Sequence, residues 1–430
     1  MKTAYKYRLY PNKSQSEMLD KTMNVSRWAF NYCLSEIKKA TEVELERRKN
    51  EPDSPKNHIP TNYDISRKIT ELKKDPQYAW LNEVPRDAIT HALENVDKAF
   101  KNFFRRLKNG EDKAGYPKFK KKGIGSQSFA LCSPSNKVDF AKGRLSLLRI
   151  PNIKAVFHRH FEGFVKTITV TKDPTGAYYA SILVDNPDVQ APQKREVKNE
   201  STISVHSGLR NLFTTSEGVK YDNPRTLNRY EEKLKRLQRR LSKLELKYTI
   251  ETNEFGKERR LYSKNRDKLR LQVNKLHKRI ANIREWNLHN ISKEIVENDK
   301  TETICMDKFN IKDMVKDTRF AKNIHDAAWY KFKTMVKYKA EWLGKNVLET
   351  DFGTPITQRC FVCKSIEVDK IPLNKLEWVC SSCGITNDRD LNAAQNVREL
   401  AFEPIKSEKK ENRQRVKKPK NGNVSLTLNG

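Results

Sequence analysis

The 430-residue sequence has no apolar run near the roughly 20 residues that a membrane-spanning helix needs. Its opening, Met1-Lys2-Thr3-Ala4-Tyr5-Lys6, has no signal-peptide core. A soluble cytoplasmic protein is expected, with no membrane partner and no small-molecule substrate. There is no internal repeat and no Gly-rich phosphate loop. Cysteine is scarce, at seven residues. Four of them form two Cys-x-x-Cys pairs, which is metal-site usage rather than a disulfide framework and fits a reducing compartment. Cys33, Cys132 and Cys305 stand alone in apolar contexts and read as buried small hydrophobes. Acidic residues are outnumbered, 54 against 86 basic, for a formal net charge of +32. A compact chain this basic repels itself unless a polyanion neutralises it, and nucleic acid is the natural partner. Charge alone also fits a ribosomal or generally adhesive basic protein. With 36% hydrophobic residues the chain can still bury cores, and its length allows two to four domains.

Residues 3–10 alternate Tyr5, Tyr7 and Leu9 against Lys6, Arg8 and Tyr10, the pattern of a half-buried strand that Pro11 and Asn12 end. Residues 14–47 read as helical, and a second helix runs from Val84-Pro85 to Lys108. In that helix Phe100, Phe103, Phe104 and Leu107 share one face by i, i+3, i+4, i+7 spacing and are expected in a core rather than as a base-stacking platform. Lys101, Arg105 and Arg106 lie on its other faces. A basic connection, 110–122, carries Lys118 and Lys120. Strands follow at Leu145–Ile150, Gly163–Val170 and Ala177–Val184, with a turn at Asp173-Pro174-Thr175-Gly176; their spacing suggests a small barrel. Residues 186–200 read as a linker.

Ile203–Val205 and Leu212–Thr214 read as strands around Gly208. A helical hairpin comes next. One arm carries Leu227, Tyr230, Leu234, Leu237, Leu241 and Leu244, the other Leu269, Val273, Leu276, Ile280 and Ile283, both in coiled-coil steps of three and four. Its tip lies near Thr252–Gly256. Arg236, Arg239 and Arg240 crowd the first arm, either as solvated coiled-coil charge or as a nucleic-acid contact. Thr303–Met306 is a strand ending at Asp307, Ala321–Leu343 one helix, and Val347–Thr350 a strand.

Cys360-x-x-Cys363 and Cys380-x-x-Cys383 are separated by sixteen residues, a zinc-ribbon spacing. Two knuckles complete a tetrahedron with four thiolates and leave no open position, so the zinc is expected to be structural. A pair of redox thiols is the alternative.

These pairs, with Gln358-Arg359-Cys360 before them and Asp388-Arg389-Asp390-Leu391-Asn392-Ala393-Ala394-Gln395-Asn396 after, resemble the C-terminal half of the TnpB/OrfB family, transposon-encoded relatives of type V CRISPR effectors. Tyr7-Arg8-Leu9-Tyr10-Pro11-Asn12 with Gln15 resembles the family's opening. Ala99-Phe100-Lys101-Asn102-Phe103-Phe104 and Gly115-Tyr116-Pro117-Lys118-Phe119-Lys120 resemble its middle. Asn310-Ile311-Lys312-Asp313-Met314 and Tyr338-Lys339-Ala340 resemble its nuclease part. The resemblance covers about residues 1–400. It implies an α+β multidomain fold: a split wedge β-barrel (1–13 and 125–190), a helical recognition domain inserted at 14–124, and an RNase H-like RuvC α/β domain (200–352 and 385–400) holding the helical hairpin (224–299). A zinc ribbon (353–384) interrupts the last domain, and residues 401–430 are expected to be a disordered basic tail.

The resemblance also implies RuvC chemistry, in which three carboxylates hold two metal ions about 4 Å apart. In this sequence His206 stands at the first aspartate position, in Ile203-Ser204-Val205-His206-Ser207-Gly208-Leu209. Asp307 stands where the family has a glutamate. Asp390 is assigned as the third, with Asp388 the alternative. A neutral imidazole offers one nitrogen and no charge, whereas magnesium prefers oxygen ligands. His206, Asp307 and Asp390 are therefore read as vestigial, and Mg2+ is not expected there. His206 is expected to pack or hydrogen-bond near Asp390. No Ser-His-Asp or Cys-His arrangement suggesting another chemistry is legible. By resemblance to nuclease-dead TnpB-like repressors, the chain is expected to bind an ωRNA-like guide RNA and double-stranded target DNA beside a short transposon-adjacent motif. It would repress transcription without cutting, in the bacterial cytoplasm at the nucleoid. Lys6, Arg8, Lys101, Arg105, Arg106, Lys118, Lys120, Arg236, Arg239 and Arg240 are its candidate nucleic-acid contacts. An RNA-guided endonuclease with an altered metal site is the alternative.

Overall fold

The computed structural model describes every residue except 52–58, 112–113, 124, 133–135, 191, 253–257, 309, 352–354, 370, 373–374 and 403–430. The predicted basic tail lies almost wholly outside the described residues, as does most of the hairpin tip. The described residues form two compact units, one from Met1–Ala191 with Leu227–Asn282, the other from Pro192–Thr226 with Ile283–Gly430.

The chain opens with β1 (Lys2–Tyr10), whose alternation buries Tyr7 and Leu9. Pro11 ends it and Asn12 starts α1 (Lys13–Asn50) through a capping box. The Asn12 side chain accepts the Gln15 N–H at 2.8 Å, and Gln15 accepts the Asn12 N–H at 3.0 Å. α2 (Asn62–Leu72), a 3-10 helix (Pro76–Glu83) and α3 (Arg86–Lys108) follow. Phe30 and Leu34 of α1, Ile65 and Ile69 of α2, and Ile89, Leu93 and Val96 of α3 share a core. The aromatic face expected in that core reaches it only in part, through Phe100, which packs against it. Phe104 and Leu107 are exposed, at 60% and 51%, while Phe100 and Phe103 close edge-on against Tyr116. Periodicity placed the four residues on one face, and the C-terminal turns of α3 run past the core, leaving that end of the face exposed among the described residues.

β2 (Gln127–Leu131), β3 (Lys137–Asp139), β4 (Arg144–Leu147), β5 (Ile150–Val156), β6 (Phe164–Lys172) and β7 (Tyr178–Asp185) join β1 in one antiparallel sheet of order β2-β6-β7-β1-β5-β4-β3. The sheet is open, which corrects the expected closed barrel. Closure would need β2 to pair with β3, and β3 is three residues long. β1 also pairs with β5 only from Arg8 to Tyr10, against Lys2 to Leu9 with β7. The β6–β7 turn is the predicted one. Asp173 accepts the Thr175 and Ala177 N–H groups, and Gly176 takes φ 81°. Cys132, at the end of β2, is exposed rather than buried as its apolar neighbours suggested, because it follows the strand instead of lying within it. Cys33 and Cys305 are buried.

After β8 (Thr202–Ser207), β9 (Asn211–Thr215) and β10 (Lys220–Asp222) comes the hairpin, α4 (Thr226–Glu245) and α5 (Lys264–Glu297). Its seam is the predicted one, with Leu234, Leu237, Leu269, Val273, Leu276 and Ile280 buried. The arms are linked by a ribbon the sequence reading missed, β11 (Tyr248–Thr252) antiparallel to β12 (Glu258–Tyr262). Contacts group Leu227–Asn282 with the first unit, where the sequence division assigns the whole hairpin to the RuvC-like part.

The second unit adds β13 (Thr303–Met306), α6 (Ile311–Met314), α7 (Thr318–Ala327), α8 (Trp329–Trp342), β14 (Asn346–Glu349), β15 (Glu377–Val379), β16 (Thr386–Asp388) and α9 (Arg389–Leu400). Its main sheet has the order β10-β9-β8-β13-β14, with β8, β13 and β14 parallel. Parallel strands covered on both faces read as continuous apolar runs, and every residue of β13 is buried. Phe213 of β9 stacks on Phe332 of α8 with centroids 3.7 Å apart. The single helix expected over Ala321–Leu343 is broken at Ala328, a left-handed residue with φ 51° that ends α7 and begins α8. The turn lets Trp329 enter the core at 3% exposure.

Candidate functional site

The parallel register brings two of the three expected RuvC positions together. Val205 of β8 lies opposite Met306 of β13, so the next residues, His206 and Asp307, emerge side by side at the strand ends. Asp307 is 2% exposed. Its Oδ2 lies 3.0 Å from His206 Nδ1 and accepts the Ser207 N–H at 3.1 Å, while Oδ1 accepts the Ser207 hydroxyl at 3.1 Å. His206 thus partners Asp307, which corrects the expectation that it would sit against Asp390. Lys333 of α8 donates its ammonium to the Asp307 main-chain carbonyl and lies 3.6 Å from Glu349. Burial pushes the Lys333 ammonium down, while Asp307 and Glu349 oppose that shift. Sequence reading missed Lys333 and Ser207. Lys333 follows the break at Ala328, and Ser207 becomes relevant only once the strand register is known.

Asp390 stands in the first turn of α9, where its Oδ2 accepts the Asn211 amide at 3.0 Å. Asp388 is used otherwise. It caps α9 by accepting the Leu391 N–H at 2.9 Å and pairs with Lys220 at 2.5 Å. Its carboxyl lies below the usual range because the Lys220 and N–H contacts outweigh burial, which acts the other way. Arg210, Asn211, Lys220, Leu376, Asp388 and Asp390 line a cleft of about 240 Å3.

The four cysteines do converge. Their sulfurs all lie within 4.8 Å of one another, the group of metal-ligating side chains found among the described residues. Cys360 and Cys383 sulfurs are 3.8 Å apart, and Cys363 and Cys380 sulfurs 3.6 Å apart. A tetrahedral ion bound by thiolates at about 2.3 Å separates its ligands by about 3.8 Å, so the donor set fits. The Ser365 hydroxyl and N–H hold the Cys363 thiol down at about 6. The Ile385 N–H favours a thiolate at Cys383, but burial and the neighbouring sulfurs push it up to about 12. Four thiols this close ionise together only around a cation. α9 clamps the knuckle. Asn392 accepts the Phe361 N–H at 2.8 Å and donates to the Arg359 carbonyl, and Asn396 donates to the Ile356 and Arg359 carbonyls.

The candidate nucleic-acid contacts fall in several environments. Arg8 lies over Tyr10 and Tyr179, and Lys6 over Tyr179, on one face of the first sheet. Lys101, Arg105 and Lys118 are exposed, and Arg106 donates to the Ala114 carbonyl. Lys120 is exposed as a residue, but its ammonium sits 4.0 Å over Phe30 and its pKa is lowered by burial. Arg236, Arg239 and Arg240, with Glu232, Lys233 and Lys235, line a cleft of about 500 Å3 on α4. No described helix is long and apolar enough to cross a membrane.

Fold and site define a mixed α/β, multidomain, strongly basic protein with a pair of knuckles whose four cysteines could hold a metal ion. Residues 1–45 match the OrfB/IS605 family described as "Helix-turn-helix domain", 181–318 the OrfB/IS605 family described as "Probable transposase", and 329–397 the "Cas12f1-like, TNB domain". The chain belongs to the TnpB/OrfB family. Over the first match it forms one strand and one unbroken helix. A "Putative RNA-guided DNA endonuclease" of Streptomyces pristinaespiralis is 29% identical, over 92% of this chain and 89% of its own length. The similarly named InsQ of Escherichia coli K12 is 25% identical, over 92% and 91%. A solved Cas12f1-sgRNA-target DNA complex aligns with 13% identity and a TM-score of 0.33, over 93% of this chain and 99% of the other.

Proposed function

We propose that this chain binds double-stranded DNA under the direction of a guide RNA, next to a short transposon-adjacent motif, and holds it uncut as a transcriptional repressor at the bacterial nucleoid. The observation that carries the uncut reading is the engagement of Asp307. Its carboxylate already takes three protein hydrogen-bond partners, His206 and two from Ser207. Magnesium does not fit here. Paired hard cations need bridging carboxylate oxygens, and position 206 supplies an imidazole while the ammonium of Lys333 adds positive charge nearby. Of the activities in the relatives' names, RNA guidance and DNA targeting carry over to this chain, and cleavage does not. The metal of the knuckle pair is zinc in a structural role, since four thiolates leave no position for water. Arg236, Arg239 and Arg240 supply phosphate contacts.

The second reading is an RNA-guided endonuclease with an altered metal site, favoured by the names of the relatives and by the carboxylates still present at Asp307 and Asp390. It would need a transition metal that accepts imidazole. One experiment separates the two. The protein is purified with its RNA, the RNA is sequenced, and matched duplex DNA is tested for retardation and nicking in magnesium, manganese or zinc. Retardation with intact strands in all three supports the repressor. Nicking in magnesium overturns it, and nicking in manganese or zinc alone establishes the second reading.

A further inference from the structure

Outside the vestigial site, the first unit contains an arrangement of nucleophile, base and carboxylate that sequence reading did not find. Asp87, His91 and Glu94 occupy i, i+4 and i+7 positions of α3 and so share one face. That face meets the end of β2. His91 Nε2 lies 3.0 Å from Cys132 Sγ, and His91 Nδ1 lies 2.9 Å from Glu94 Oε2. Asp87 Oδ2 accepts the Cys132 N–H at 3.0 Å, and Thr167 Oγ1 of β6 lies 3.3 Å from the sulfur. We propose that Cys132 is a covalent modification site, a thiol activated by His91 that exchanges with small disulfides.

The geometry assigns the roles. A carboxylate only accepts, so Glu94 holds the proton of His91 on Nδ1, which leaves Nε2 as a lone pair facing the thiol. The separation of 3.0 Å is within the reach expected of a nucleophile and its base. Cys132 is exposed, whereas the His91 side chain is only 20% exposed and so is held in place. The Asp87 contact fixes the main chain of Cys132, while His91 and Thr167 contact the sulfur itself. Cys33 and Cys305 differ in kind: burial pushes both thiols up to about 12, and neither is accessible.

In the exchange, the Cys132 sulfur attacks one sulfur of a disulfide R–S–S–R as its proton passes to His91 Nε2. The Cys132–S–S–R bond forms, the original S–S bond breaks, and the departing RS⁻ recovers the proton from the imidazolium as RSH. Cys132 is oxidised to the disulfide level, and half of the reagent is reduced to thiol. The co-reactant is a low-molecular-weight disulfide, and no further oxidant is required.

The test uses the full chain loaded with zinc and its RNA, because the knuckle thiols would otherwise react. Protein is exposed at neutral pH to iodoacetamide, or separately to glutathione disulfide, and modification at residue 132 is followed by peptide mass spectrometry. Cys132 is expected to react about tenfold or more faster than in the urea-unfolded chain. His91→Gln should remove most of that advantage, and Glu94→Gln should reduce it several-fold, as expected of a base and the group that orients it. Glu94 is 40% exposed, so its substitution leaves the fold in place, and thermal melting checks both variants. A Cys132 that reacts no faster folded than unfolded overturns the proposal. So does a folded His91→Gln or Glu94→Gln protein that reacts at the original rate.

Discussion

Replacing His206 with aspartate tests the electrostatics of the strand ends directly. The present ring nitrogen lies 3.0 Å from Asp307 Oδ2, in a site where Asp307 is 2% exposed. A carboxylate at that position would face another at about 4 Å, a repulsion on the order of 4 kcal/mol at an effective dielectric of 20. The variant also loses the His206 contact. With roughly 2–4 °C of melting temperature per kcal/mol for a unit of this size, His206→Asp should melt about 8–16 °C lower in magnesium-free buffer. The pH dependence has a definite sign. Repulsion raises the folded-state pKa of the acid pair above its unfolded value, so the folded state binds more protons and stability falls as pH rises above the ordinary carboxylate range. The deficit should therefore be larger at pH 8 than at pH 5. Magnesium should offset most of it, because two carboxylates can share a divalent cation; a concentration of about 100 times Kd returns about 2.7 kcal/mol. Differential scanning calorimetry of both proteins, with and without 10 mM magnesium, reads all of this. A variant that melts with the original protein in magnesium-free buffer, or an equal rise of both in magnesium, would refute this electrostatic account.

Two further outcomes follow from features of the second unit. Cys380→Ser should abolish stoichiometric zinc, measured by elemental mass spectrometry, and lower the melting temperature, because structural zinc contributes folding free energy; unchanged zinc content would refute the four-thiolate site. Ala328→Gly should stabilise the protein by about 1 kcal/mol, since Ala328 holds φ 51° at a steric cost that glycine avoids. A lowered melting temperature would show that the α7–α8 turn is held by something other than that backbone angle.

What could be read in the sequence was mostly what is encoded locally. The cysteine pairs carry their ligand spacing within a few residues, and the hairpin seam repeats every three and four positions, so both were legible. The α7–α8 break was not, because Ala328 is a strong helix former placed in a left-handed turn by the burial of Trp329. Every residue of β11 is exposed, and its short alternation of Tyr248 and Ile250 against Thr249 and Glu251 follows directly on a long helical pattern that masks it. Sheet opening depends on how far β3 reaches, which no local pattern specifies. The partner of His206 required the β8–β13 register, and the meeting of His91 with Cys132 spans 41 residues.

α9 has two separate duties within four turns of helix. Asn392 and Asn396, one turn apart, tie it to the cysteine knuckle, while Asp390 faces Asn211 from its first turn. A chain that had lost all use for Asp390 would still need the asparagines to keep the knuckle seated. The two asparagines can therefore outlast any chemistry at Asp390, and their presence speaks for an anchored knuckle rather than for a cutting enzyme.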